Sequence, residues 1–418
     1  MTTTGKRQYS MVADNSSYIL RFTLKPNNSY QLNAQFHQRT HSIPIIFETV
    51  IINYHLPSTY CIFAKNLLIK DMKDRLLSLD AIKGIAIILV LMEHIYIFSD
   101  DQITLTYSFV TEFILAVHMP LFILLAGFFA QKMPAQGGWI KYIRDKSIRL
   151  VIPALVWYGL WTIWHDGQFH LSGALTNQYW FTLNLFIYFA IFGLQNAIIN
   201  YGLRVSKNED NRVLEVGLHI GLMIIISYCL SNIIPNLHPK SGEILSIPRT
   251  RMACLYPYFV IGYALGRLKL ISYLQTQISG AVSGLVLIGC IWVFTFYQMH
   301  EPYLEYGLLH IYRLMTLAFF AFLIFCVESV TATPNKIGKG LVFLGQWSLP
   351  IYFIHFYFIP RLSGLHNYLA QYTPQLRIST EFLLYLIGSL IILLPTLIVA
   401  YCIKQNIFLS RIFLGEKN

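Results

Sequence analysis

Charge is scarce in this chain. Of its 418 residues only 12% are Asp, Glu, Lys or Arg, against roughly 25% in a soluble domain. Hydrophobic residues make up 55%, and the mean hydropathy is +0.52. A globular enzyme would struggle to bury so much apolar surface, so the bilayer is the natural solvent. Paired cysteines are missing as well. The six (Cys61, Cys229, Cys254, Cys290, Cys326 and Cys402) lie far apart with no Cys-x-x-Cys, which argues against zinc or a disulfide framework. Five sit in or beside apolar segments and read as small hydrophobes. The first residues lack the apolar core of a cleavable signal peptide. Acidic residues are the minority sign, 20 against 31 Lys and Arg, for a formal net charge of +11. The basic residues are scattered between apolar runs, which does not suit nucleic acid. It fits loops facing anionic headgroups or an anionic ligand.

Residues 1–71 are rich in Thr, Ser, Asn and Gln, with one apolar patch, SIPIIFETVIINY. That patch is shorter than the about 20 residues a membrane helix needs. Two readings of this polar N-terminal extension stay open: a disordered segment, or a mis-annotated start with translation beginning at Met72. Residues 72–403 then carry ten membrane-length apolar segments: 80–98, 109–130, 149–164, 179–199, 213–231, 252–268, 278–297, 308–330, 341–360 and 381–403. Trp157, Trp161 and Trp164 suit an interface at the end of the short third segment. Residues 404–418 form a short basic tail. Alternate loops hold twelve Lys and Arg on one side and five on the other. Cytoplasmic loops are the Lys/Arg-rich ones. The pattern predicts an all-α polytopic membrane protein of about ten transmembrane helices with both termini in the cytoplasm.

Ionisable residues inside spans are functional candidates by default. In RLLSLDAIKGIAIILVLMEHIYIF, Lys83 and His94 are eleven positions apart. At 3.6 residues per turn they share a helix face, about 16 Å apart along the axis. Glu93 is turned about 100° from His94. His118 in the second span and His355 in the ninth fall at similar estimated depth, in the outer half of the bilayer. Each also admits a plain reading as a packed histidine bonded to a helix carbonyl, and Arg313 in the eighth span as an ion-pair partner. The loop QKMPAQGGWIKYIRDKSIRLVIP has two readings too. It is an ordinary positive-inside loop, or a docking surface for a phosphate-rich cytosolic cofactor, since Arg forks and Lys charges suit phosphate oxygens.

From Met72 to about Ile403 the sequence resembles the acyltransferase-3 family of integral membrane O-acyltransferases, and within it the fucose 4-O-acetylase-like branch. LDAIKGIAIILVLMEH resembles the family's first span, a basic residue, ten residues, then His: here Lys83 and His94. VHMPLFILLAGFF is similar to the branch's His-Met-Pro-Leu-Phe run, with Ala126 in place of the usual Ser. DKSIRLVIP is similar to the Arg-x-x-Arg before a proline, with Lys146 and Arg149 in the two places. YWFTLNLFIYF, YPYFVIGYALGR and LGQWSLPIYFIHFYF are similar to later spans. Leu185 stands where many members have a Glu.

The resemblance implies acetyl-CoA or another acyl-CoA as donor and a carbohydrate hydroxyl, on a lipid-linked or polymeric glycan, as acceptor. No metal and no nucleic acid are expected. The setting is the cell (inner or plasma) membrane, with multiple passes. It implies His94 as the catalytic base, a role suited to imidazole at neutral pH. Lys83, Lys146, Arg149 and Arg144 would bind the donor's phosphates. His118, His355, Glu93, Arg313 and Trp180 remain substrate or structural candidates. An acyl-His94 intermediate is the variant within the same class. The competing class is a transporter, flippase or polymerase for polysaccharide intermediates, against which stands the lack of a detectable inverted repeat. An inactive sensor built on the same fold is a third. The short tail after the tenth span leads us to expect that transfer is completed by the membrane domain or by a separate protein.

Overall fold

The computed structural model describes residues 9–12, 19–24, 30–35, 58–99, 109–131, 133, 138–169, 171, 178–208, 210–232, 249–300, 305–332 and 335–416. The chain divides into two units, Met1–Lys73 and Asp74–Asn418. The first holds three short strands, β1 (Tyr9–Val12), β2 (Ile19–Leu24) and β3 (Tyr30–Gln35). They pair antiparallel in the order β1-β2-β3, with Met11 opposite Leu20 and Phe22 opposite Leu32. The apolar patch in residues 42–54 lies outside the described residues.

From Ser58, in the first unit, to the end of the second the described elements are all helical. In chain order come α1 (Ser58–Phe98), α2 (Phe109–Ala130), α3 (Trp139–Asp166), α4 (Trp180–Val205), α5 (Arg212–Asn232), α6 (Arg249–Arg267) and α7 (Ile271–Leu274). Then follow α8 (Gln277–His300), α9 (Glu305–Ala332), α10 (Lys336–Gln346), α11 (Ser348–Ile354), α12 (Leu365–Leu369), α13 (Pro374–Lys404) and α14 (Ile407–Leu409). All ten sequence segments are helical. Among the described residues eight helices are long and apolar enough to cross a membrane. The pair Lys336–Gln346 and Ser348–Phe358 meets the same standard together but is bent by 63°, the shape of a broken span or a re-entrant loop. α6 coincides with the sixth segment but falls short of that apolar standard; it is instead packed inside, with Tyr256, Phe259 and Val260 fully buried. This is the architecture of an all-α polytopic membrane protein.

One expectation is corrected. The basic stretch before Pro153 is not a loop: α3 starts at Trp139, so Lys141, Arg144, Lys146 and Arg149 ride on its first turns. Hydropathy averages miss a helix whose first turns are cationic.

Three features position the interior. Glycines let α2 and α6 touch backbone to backbone: a Cβ at Gly127 would collide with the Phe259 carbonyl, and one at Gly262 with the Leu124 carbonyl. Such close crossings by small residues are how membrane helices associate. Gly345 and Gly84 do the same for α10 and α1, meeting the backbone of Asp80 and Leu341. Prolines inside helices free the carbonyl four residues back. Pro120 frees Ala116, whose oxygen accepts from Thr316 Oγ1 of α9 at 2.8 Å. Pro153 frees Arg149, and there the C-terminal Gly415 packs without a Cβ. Finally, Arg267 donates to Glu215 Oε2 from Nε (2.9 Å) and Nη2 (2.7 Å), tying α6 to α5.

Candidate active site

His94 sits one turn from the end of α1, 6% exposed, against the rings of Phe98 and Phe356. The bend after α10 swings α11 and the 3-10 turn His355–Phe358 across it. His94 Nδ1 lies 2.6 Å from His355 Nε2, with the two rings within 5° of coplanar. His355 is fully buried, and its Nδ1 is 3.0 Å from the Ile351 carbonyl. A carbonyl can only accept, so His355 Nδ1 carries the proton and Nε2 offers a lone pair. His94 must then donate from Nδ1, which leaves His94 Nε2 as the unprotonated nitrogen. The network thus assigns a tautomer that is ready to take a proton.

Glu93 completes the cluster. The helical wheel sets it about 100° from His94, yet Glu93 Oε2 lies 3.5 Å from His94 Nε2 and 3.0 Å from His118 Nε2. The side chain is long enough to swing around the helix surface, and α2 supplies the partner that draws it there. His118 in turn donates from Nδ1 to the Ile114 carbonyl at 2.6 Å, so its Nε2 and Glu93 share one proton between them. All three histidines therefore hold a helix carbonyl or a histidine that does. The packed reading and the functional reading apply to the same residues. The nitrogens point at one another, and among the described residues no group of three His, Cys, Asp or Glu has the arrangement to hold a metal ion.

Two cavities open in the helical unit, and the cluster lines the first of them. The first, about 610 Å³, is lined by Glu93, His94, His118, Trp180 and Arg313, with Glu112, Gln178, Tyr258 and Tyr312 between them. The second, about 490 Å³, is lined by Lys83, Lys146, Arg149 and Asp80 at one part and by Val90, Tyr142, Phe181, Phe189 and Tyr352 elsewhere. Both volumes fall in the roughly 300–1,000 Å³ range of ligand sites. Met119 is the residue common to the two linings. The sequence departures Ala126 and Leu185 both line the second cavity.

The expected donor-binding residues separate on inspection. Lys83 is paired with Asp80 at 2.5 Å and lies over the Phe129 ring. Lys146 lies over the rings of Phe189 (4.3 Å) and Tyr142 (5.1 Å). Arg149 is exposed at the cavity. Arg144 does not line it: its side chain is 67% exposed and reaches Asp145 at 3.8 Å. Asp80, Met119, Glu112, Tyr258 and Tyr312 also line the cavities and are not among the residues singled out from sequence. Asp80, at three residues from Lys83, was the one with a readable signal.

The fold around the cluster is held by tyrosines. Tyr179 donates to the Phe353 carbonyl (3.0 Å) and Tyr352 to the Gln178 carbonyl (2.9 Å), clamping the start of α4 onto α11. Tyr357 donates to the Trp157 carbonyl (3.1 Å), and Trp157 Nε1 to the Phe413 carbonyl (2.8 Å).

The profile of a family described as "Acyltransferase domain" matches residues 76–404, most of the chain. Nodulation protein NolL of Sinorhizobium fredii (strain NBRC 101917 / NGR234) is 30% identical over 123 residues, 26% of this chain. That match spans only 33% of the length of this curated relative. No solved structure matches.

Proposed function

Because the chain belongs to this acyltransferase family, we propose that it is an integral membrane O-acyltransferase of the fucose 4-O-acetylase-like branch. It moves an acyl group, most simply acetyl, from acyl-CoA to a sugar hydroxyl of a cell-envelope or exported polysaccharide. The observation that carries this reading is the position of His94: a proton-ready imidazole on the wall of one cavity, which shares Met119 with a second cavity whose wall carries cations. The second cavity takes the donor, with Arg149 and Lys146 at the phosphates and the apolar wall along the pantetheine arm. Lys83, neutralised by Asp80, serves this site less as a free charge than as part of its rim. The first cavity takes the acceptor.

The chemistry follows from the tautomer. His94 Nε2 removes the proton as the sugar oxygen attacks the thioester carbonyl carbon. Glu93, 3.5 Å away, stabilises the imidazolium, while His355 keeps Nδ1–H in place. The C–S bond then breaks, an ester forms, and the thiolate leaves with the proton His94 returns. On this reading the cationic cavity faces the cytosol, where CoA is found, and both termini lie in the cytoplasm of an inner or plasma membrane protein, in keeping with the Lys/Arg-rich loops.

The test is reconstitution with radiolabelled acetyl-CoA and isolated cell-envelope glycans. Label should pass to glycan with the wild-type protein and fail with His94→Ala. Full transfer by that variant would remove His94 from the mechanism, and facilitated movement of glycan without labelling would favour a transporter.

A further inference from the structure

The cavity assigned to the acceptor contains a charge that the transfer chemistry does not use. Arg313 projects from α9 into it. A guanidinium in a membrane-embedded helix is expensive unless it meets a counter-charge. The cavity holds two carboxylates that could supply one, and both are engaged elsewhere. Glu93 is held by His118 at 3.0 Å. Glu112 accepts from Tyr312 at 3.0 Å. Among the described residues Arg313 donates to the thiol of Cys254, Nη2 to Sγ at 3.8 Å, and no carboxylate lies within ion-pair range of it. A thiol is a weak acceptor. The planar fork is thus left with its donors available to whatever occupies the cavity. Around it are Trp180, whose face suits a pyranose ring, and the hydroxyls of Tyr258 and Tyr312. The arrangement is that of a ligand site: mostly apolar walls with a few fixed polar groups.

We propose that the acceptor carries an oxyanion, a carboxylate or a phosphate, near the hydroxyl that is acylated, and that Arg313 binds it. An Arg fork matches both groups in a bidentate way, with short charge-assisted hydrogen bonds. Binding there fixes the orientation of the sugar relative to His94 Nε2 on the same cavity wall. The anion is thereby a specificity element: a neutral glycan leaves the arginine unmatched in a low-dielectric cavity and is rejected. This inference rests on the first cavity being the acceptor site.

The experiment uses the full chain in nanodiscs. Three probes separate the sources of charge: methyl glucuronide (carboxylate), glucose 1-phosphate (phosphate) and methyl glucoside (neutral). Binding is read from Trp fluorescence, with Trp180 beside the site, and transfer from radiolabelled acetyl-CoA. The wild type is expected to favour one acidic probe over the neutral one by about tenfold or more in both readouts. Arg313→Gln should bring that ratio to near unity, and Arg313→Lys should retain part of it. Because the readout is a ratio within one preparation, reduced folding yield does not imitate the effect. Equal response to all three probes, no saturable response to either acid, or an unchanged ratio in Arg313→Gln overturns the proposal. Acid-selective binding lost in Arg313→Gln but without acetyl transfer would uphold the anion site and count against the acyltransferase reading instead.

Discussion

Removing the imidazole of His94 takes away the proposed base, and general-base catalysis contributes roughly 10²–10⁴-fold. His94→Ala should lose label transfer by that factor while still binding acyl-CoA, measured by equilibrium binding of the labelled donor. His355→Phe keeps the ring volume and deletes the acceptor of His94 Nδ1–H. With its tautomer and orientation no longer fixed, His94 should lose on the order of 10²-fold in kcat, as small misplacements do. Glu93→Gln and His118→Gln should each lower kcat, and the double variant should lower it little further, because the two side chains share one proton and act as a unit. Additive losses would separate them. At this scale the sequence was half legible. Helical periodicity sets Lys83 and His94 on one face of α1, yet the two line different cavities. It cannot give the Glu93–His118 contact or the His94–His355 contact, because each joins side chains from different helices. A wheel diagram also fixes where a side chain leaves the backbone, not where its end arrives.

At the scale of elements, the crossing of α2 and α6 depends on Gly127 and Gly262. Gly262→Leu drives a side chain into the Leu124 backbone, which has no flexible end to give way. The variant should be destabilised by at least the upper part of the about 1–3 kcal/mol typical of overpacking, read from thermal unfolding in detergent. The C-terminal turn offers a test with a sign. Glu416 accepts from Lys404 Nζ (2.7 Å) and Ser410 Oγ (2.6 Å). Burial acts to raise its carboxyl, but these hydrogen bonds and the charges of Lys404 and Arg149 prevail and hold it below the ordinary 4.5. A lowered carboxyl contributes stability that is complete above its unfolded value and fades as pH falls through the folded one. The tail should therefore resist proteolysis at neutral pH and become cleavable as pH drops below 4.5. Glu416→Gln should be cleavable at neutral pH as well. Eight of the ten expected spans were legible because each is a long apolar run. The start of α3 and the 63° break at Trp347 were not: the first is masked by its cations, and the second is a change of direction within an unbroken apolar sequence.

For the whole molecule, two cavities with separate walls predict the order of events. If donor and acceptor occupy them together, initial-rate plots against both substrates should intersect, as for a ternary complex. Parallel lines, with label retained on His94 in protein treated with donor alone, would point to the acyl-enzyme route. The arrangement also bears on the membrane itself. Both cavities are wide enough for water, and each is lined by groups that carry protons. They share a single side chain, Met119, which is 5% exposed and apolar. A thioether at that point keeps two wet vestibules from joining into one conducting path. Under the proposed function, an acyl group then passes from one cavity to the other without dissipating the ion gradient across the membrane. Met119→Ser should make proteoliposomes leaky to protons under an imposed pH difference, where the wild type holds it.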